Sequence, residues 1–231
     1  DACHAPGGSF ENSQGEYVYC GDGRYVDAAI YSFHPVKHIA AGEGGMITTN
    51  NEELKKQLEM LRTHGITKDP ELLNDNHGKW YYEMQQLGYN YRLTDIQSSL
   101  GLSQLQRADQ GLQRRREIAQ IYDEAFAEVD EITTQKVSPE VRDNHHGYHL
   151  YVIQVNNRKE LYDYLREHKI YSQIHYIPVH LLPYYKQFGW NEGKMPRAEE
   201  YYKHCISLPM YPTLDNKQQQ FVINKIEEYY G

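Results

Sequence analysis

Residues 32–45 read SFHPVKHIAAGEGG. The run DAAIYSF at 27–33 enters this stretch as a short buried strand, and GMITT at 45–49 leaves it as a second strand. Between them, Pro35, Gly42, Gly44 and Gly45 make a loop that contains Lys37. A rigid strand end thus carries an amine toward a cavity. Lysine amines form Schiff bases with carbonyls once desolvated or set near positive charge. Glycines let a ligand approach the backbone closely. Ser32, five residues before the lysine, offers a hydroxyl to a phosphate. These residues alone do not name a cofactor, because a single lysine ahead of glycines is usually a surface lysine.

Outward from this stretch, NEELKKQLEMLR at 51–62 has helical spacing. Leu54, Leu58 and Leu61 share one face, and Asn50 or Asn51 can cap it. Residues 64–92 are polar and aromatic, with Pro70 and several Gly and Asn, and read as a long loop. One long helix is expected from Thr94 or Asp95 to about Val129, with room for a kink near Gly101 or Gly111. The composition changes after about residue 130. Strands are expected at 149–155 and 171–177, and helices at 157–168, 196–205 and 215–229. The chain therefore divides into 1–131 and 132–231, the second a small α+β unit of two or three strands.

The formal net charge of −8 argues against a nucleic-acid partner, which calls for a basic footprint. Arg114, Arg115 and Arg116 form the densest basic cluster, and their acidic neighbours suggest a solvated helix face. Cys3, Cys20 and Cys205 are an odd, widely spaced set. They fit reduced thiols of a cytoplasmic protein and no structural zinc site. No apolar run approaches the roughly 20 residues that span a membrane. No signal peptide is visible. Asp1 opens directly into a motif without an initiator Met, which reads as a piece of a longer chain.

Several ordered motifs resemble the DegT/DnrJ/EryC1/StrS sugar aminotransferases. Residues 32–45 look like that family's cofactor-lysine segment. DACHAPGG at 1–8 resembles its strand-end element, in which an aspartate pairs with the pyridine nitrogen of pyridoxal 5'-phosphate (PLP). RTHG at 62–65 follows at the expected place. GYNYRLTDIQSSLGLSQL at 88–105 resembles the family's dimer-crossing loop and the helix after it. HYIPVHLLPYY at 175–185 is similar to its substrate-facing segment, and LPMYPTL at 208–214 to a late signature. The resemblance covers almost the whole chain.

It implies an α/β, aspartate-aminotransferase-like fold (PLP fold type I). Residues 1–131 would be the C-terminal part of the PLP-binding large domain with a long linking helix, and 132–231 the small α+β C-terminal domain. The first part of the large domain, with its phosphate cradle and stacking ring, would precede Asp1. Lys37 would hold PLP as a covalent Schiff base and shuttle a proton. Asp1 would keep the pyridine nitrogen protonated, which makes the ring an electron sink. His4 would lie against the ring, Ser32 would bind the phosphate, and Asn90 would reach the phosphate of the neighbouring subunit. His175 and His180 would lie near the nucleotide sugar. The implied protein is a cytoplasmic homodimer with shared active sites and no nucleic-acid or membrane partner. It would move an amino group from glutamate to a keto group of a nucleotide-linked deoxysugar. The wording of the motifs is most like members acting at C4 of UDP-linked 4-keto-6-deoxy-HexNAc sugars, toward pseudaminic acid or related bacterial surface glycans.

Two rival readings stand beside this one. Some relatives are PLP-dependent sugar dehydratases with a histidine in place of the lysine, and Lys37 argues against that chemistry. The other rival is a catalytically silent fragment or regulatory binding module of the same fold. The joint presence of Asp1, His4, Ser32, Lys37 and Asn90 opposes it.

Overall fold

The computed structural model describes residues 1–141 and 145–231. Two compact units divide the chain, Asp1–Ala108 and Asp109–Gly231.

Antiparallel pairs shape the first unit. β1 (Ser9–Glu11) pairs with β2 (Tyr17–Tyr19), and the Asn12 side chain closes their turn by accepting from the Gln14 and Glu16 amides. β3 (Ala29–Ser32) pairs with β4 (Gly45–Thr48), in register from Ala29 opposite Thr48 to Ser32 opposite Gly45. This is the strand–loop–strand expected around residues 32–45. Of β3, however, only Ala29 is buried, so the strand is less enclosed than its apolar run suggested.

Asn51 caps α1 (Glu52–Arg62), its Oδ1 accepting from the Leu54 N–H at 3.0 Å. Glu52 and Glu53 fill the first turn, where the helix dipole favours negative charge. Residues 64–92 are more ordered than a structureless loop. β5 (Ile66–Thr67) pairs with β6 (Glu83–Met84). The Glu83 carboxylate then gathers the segment between them. It accepts from the amides of Asn74 and Asp75, the Asn74 and Gln85 side chains, and the Tyr81 hydroxyl. The two ends of the stretch meet at Gly65, where φ is +68° and a Cβ would fall on the Gln86 carbonyl.

Thr94 opens α2 (Asp95–Leu105) with a capping box completed by Gln97. The single helix expected from 94 to 129 is in fact two. At Gln106 and Arg107 the amides turn back to the Leu102 and Gln104 carbonyls, and α3 (Ala108–Phe126) starts anew. The break is a tight turn of the last carbonyls. Gly101 and Gly111 lie inside the two helices on either side of it.

The core lies in the second unit. Leu112, Ile118, Ala119, Tyr122 and Phe126 form a buried stripe along α3. From Ile118 onward, it packs in one cluster with a three-stranded antiparallel sheet. The strand order is β7 (Thr133–Thr134), β8 (Tyr151–Gln154), β9 (Cys205–Leu208). This stripe packs α3 into the second compact unit, Asp109–Gly231. α4 (Arg158–Glu167) adds Leu161 and Leu165 to the cluster. α7 (Asn216–Tyr230), capped by Asp215, adds Val222, Ile223 and Ile226. Each fully buried aliphatic side chain of this kind contributes about 1.5–3 kcal/mol.

Residues 171–177 do not form the expected strand. They make one bridge, Gln173 opposite Ser207, and the His175 ring then takes the Ser207 hydroxyl where a ladder would have continued. The third strand is β9, which directly follows α6 (Pro196–His204) and which the sequence suggested only as a helix end. A short helix, α5 (Pro183–Lys186), precedes α6.

The basic run is not a solvated face either. Arg115 is 4% exposed, and its Nη1 donates to the carbonyls of Tyr148, His149 and Met210 at 3.1–3.2 Å. Arg114 donates to the Leu214 carbonyl, and Arg116 to that of His146. Among the described residues, no helix is long and apolar enough to cross a membrane.

Candidate active site

The β3–β4 hairpin sets the position of Lys37. The Phe33 amide donates to the Gly44 carbonyl at 2.8 Å and the Ala41 amide to the Phe33 carbonyl at 2.9 Å, closing the loop between the strands. A tight turn then brings the Lys37 amide to the His34 carbonyl at 2.9 Å. Gln97 of α2 braces the loop from outside, its Nε2 donating to the Glu43 carbonyl at 3.2 Å. Thus the capping-box residue of α2 also holds the glycine-rich loop. The T-x-x-Q pattern announces the cap, but nothing in it announces this reach across 54 residues.

The segment beginning at Asp1 lies along β3, with the Ala2 amide donating to the Ile30 carbonyl at 2.9 Å. Asp1 Oδ1 accepts from the Cys3 amide at 2.9 Å, which fixes the carboxylate at the start of this segment. One turn later, His4 Nε2 lies 2.5 Å from Lys37 Nζ. Two residues 33 positions apart therefore meet through a hydrogen bond, amine against imidazole. Ser32 ends β3, and its Oγ accepts from the His34 amide at 3.3 Å. That bond uses an oxygen lone pair and leaves the hydroxyl hydrogen available to another acceptor.

Asn90 sits on a different part of the first unit. It bridges to Thr63 at the end of α1, and the rings of its chain neighbours Tyr89 and Tyr91 stack on each other. His175 and His180 belong to the second unit. The His175 Nδ1 is 2.8 Å from Ser207 Oγ. His180 is buried, and its Nε2 is 2.7 Å from Glu199 Oε1. The Gly193 amide, and after it the His180 ring, hold the Glu199 carboxyl below the usual carboxylate range. Glu199 was not among the residues singled out from sequence, because one acidic residue in a helix's first turn is an ordinary sight.

With this geometry in place, comparison with known proteins is decisive. The sequence pattern of the DegT/DnrJ/EryC1/StrS aminotransferase family matches residues 1–227. The chain belongs to this family. It is 40% identical to the spore coat polysaccharide biosynthesis protein SpsC of Bacillus subtilis, covering 89% of this chain and 54% of that protein. It is 34% identical to the UDP-4-amino-4,6-dideoxy-N-acetyl-beta-L-altrosamine transaminase of Campylobacter jejuni, covering 96% of this chain and 55% of that one. Among solved structures, the PLP-form of Spr1654 from Streptococcus pneumoniae superposes with a TM-score of 0.85 at 29% identity. That match covers 99% of this chain and 56% of the other. The family's aminotransferases are PLP-dependent enzymes of fold type I, and this mixed α/β chain shares their fold. The chain spans about half the length of the curated relatives it matches.

The donor set at the hairpin fits PLP in kind. An amine, an imidazole, a carboxylate and a hydroxyl stand on two neighbouring segments, and the first two touch. An aldehyde, a ring, a pyridine nitrogen and a phosphate are the groups that such a set can hold.

Proposed function

We propose that the whole protein is a PLP-dependent sugar-nucleotide aminotransferase, with Lys37 as the residue that holds the cofactor covalently. The observation that carries this reading is the 2.5 Å contact between Lys37 Nζ and His4 Nε2. A hydrogen bond between the amine and an imidazole orients the nitrogen that is to act as nucleophile and base. In the proposed role the His4 ring lies against the flat cofactor, beside that amine. Asp1, anchored by the Cys3 amide, would present the carboxylate that keeps a ring nitrogen protonated. Ser32 would donate its hydroxyl hydrogen to a phosphate oxygen. The chemistry supplied by bound PLP is that of an electron sink, which stabilises negative charge on the carbon bearing the amino group.

The finer assignment draws on the relatives. Glutamate is proposed as the amino donor and C4 of a UDP-linked keto-deoxysugar as the acceptor, for bacterial surface glycans made in the cytoplasm. The transaminase of Campylobacter jejuni and SpsC support the substrate class. Asn90 is proposed to serve the cofactor phosphate of a second subunit in a homodimer, and residues 175–185 to face the sugar nucleotide.

The test is the absorbance spectrum of the natural full-length protein with PLP, recorded before and after glutamate, beside the 231-residue chain. The expected result is a Schiff-base band that glutamate bleaches and that Lys37→Ala abolishes along with turnover. Substantial turnover in Lys37→Ala refutes the assignment. The rival reading is a catalytically silent fragment or regulatory binding module of the same fold. Absence of the band from both proteins would refute the cofactor assignment and turn the reading to that rival.

A further inference from the structure

Four contacts converge on one buried carboxylate in the second unit. The Gly193 amide donates to both oxygens of Glu199, at 2.9 and 2.8 Å. The Met195 amide donates to Oε1 at 3.2 Å, and His180 Nε2 lies 2.7 Å from the same oxygen. The side chains of His180 and Glu199 are 9% and 8% exposed. Burying a carboxylate is costly unless hydrogen bonds replace its water, and here they do. A residue that only caps α6 could remain in water. Glu199 instead reaches back over the helix start and ties two other segments to it. One is the turn at 193–195, where φ of +85° at Gly193 favours glycine. The other is the 3₁₀ turn Val179–Leu181, which carries His180. Around that single buried anchor the segment is exposed, with Tyr176, Val179, Tyr184 and Phe188 all facing solvent.

We propose that Glu199 is a positioning residue that fixes residues 175–188 in the geometry that receives the nucleotide sugar, with His180 acting through it. The proposal rests on the aminotransferase reading above. It places the His180 ring in the framework of the binding surface, and leaves contact with the sugar nucleotide to exposed neighbours such as Tyr176 and Tyr184.

The experiment uses the full-length, PLP-loaded protein and measures two things. One is hydrogen exchange across 176–195. The other is the KM for a UDP-linked 4-keto-6-deoxy-HexNAc alongside that for glutamate. Glu199→Ala is expected to speed exchange across 176–195 and to raise the sugar-nucleotide KM about tenfold or more, with little change in the glutamate KM. Glu199→Gln, whose amide oxygen can keep the bonds at Oε1, is expected to fall between Ala and the natural residue. Unchanged exchange in Glu199→Ala, equal rises in both KM values, or a Gln variant as impaired as Ala would each overturn the proposal. If Glu199→Ala fails to fold, Gly193→Ala carries the same expectations. Its added Cβ meets nothing within 4 Å, so backbone strain alone weakens the clasp. If glutamate does not bleach the unmutated protein, the aminotransferase reading and the substrate role fall together. The exchange measurement still decides whether Glu199 holds the segment.

Discussion

Arg115 lies inside the protein, and its guanidinium donates to three carbonyls. Burial pushes its pKa down to about 10, so it stays charged at neutral pH. Its role is to satisfy the carbonyls of Tyr148, His149 and Met210, which the fold turns away from water. Replacing it with Met leaves these acceptors without their donor. Arg115→Met is therefore expected to lower stability by about 2–3 kcal/mol, seen as a reduced urea midpoint. At this scale the sequence is legible where chemistry is dense. Lys37 was singled out by its neighbours in the chain, whereas its hydrogen bond with His4, 33 positions away, is seen only in the structure. The three arginines were not legible, because a basic run has the same composition whether water or carbonyl oxygens solvate it.

Among the elements, Glu83 shows how a polar stretch acquires order. Amides, side chains and a hydroxyl converge on its carboxylate, and the Asn74 amide leads in holding its pKa down to about 2. The folded pKa lies below the unfolded value, so the ionised carboxylate favours the folded loop. That contribution is present in full above the usual glutamate range and is lost as pH falls from there toward 2. Amides of Asn74 and Asp75 are expected to lose exchange protection on acidification across this window, and Glu83→Gln should remove the pH dependence. Hydrogen exchange corrected for intrinsic rates checks both. Helix starts were readable, since Asn51, Thr94 and Asp215 carry their own capping chemistry. Helix ends and short strands were not. The break after Leu105 has no Gly or Pro to mark it. The choice of 205–208 over 171–177 as a strand depends on which segment finds a partner along β8.

At the scale of the whole molecule, the two units differ in how much they bury. α1 and α2 have no buried residue, whereas the second unit holds a continuous apolar cluster. Ile96 of α2 is 83% exposed, with Leu102 and Leu105 also facing solvent. A homodimer that uses α2 would cover these side chains. Ile96→Asp in the full-length protein is then expected to weaken self-association about 30-fold or more, seen as a shift toward monomer in gel filtration. An unchanged elution profile would remove α2 from the interface. The amino-acid sequence by itself determined the family, the strand–loop–strand around Lys37, the capped helices and the identity of the chemical groups. All of these depend on local order along the chain or on spacing within a motif. Only the tertiary structure decided that the apolar stripe of α3 packs against the three-stranded sheet, that Arg115 is buried, that Gln97 braces the lysine loop, and that Glu199 clasps His180. Those outcomes depend on which distant backbone groups are left needing a donor or an acceptor once the elements have packed, and no window of sequence contains that information.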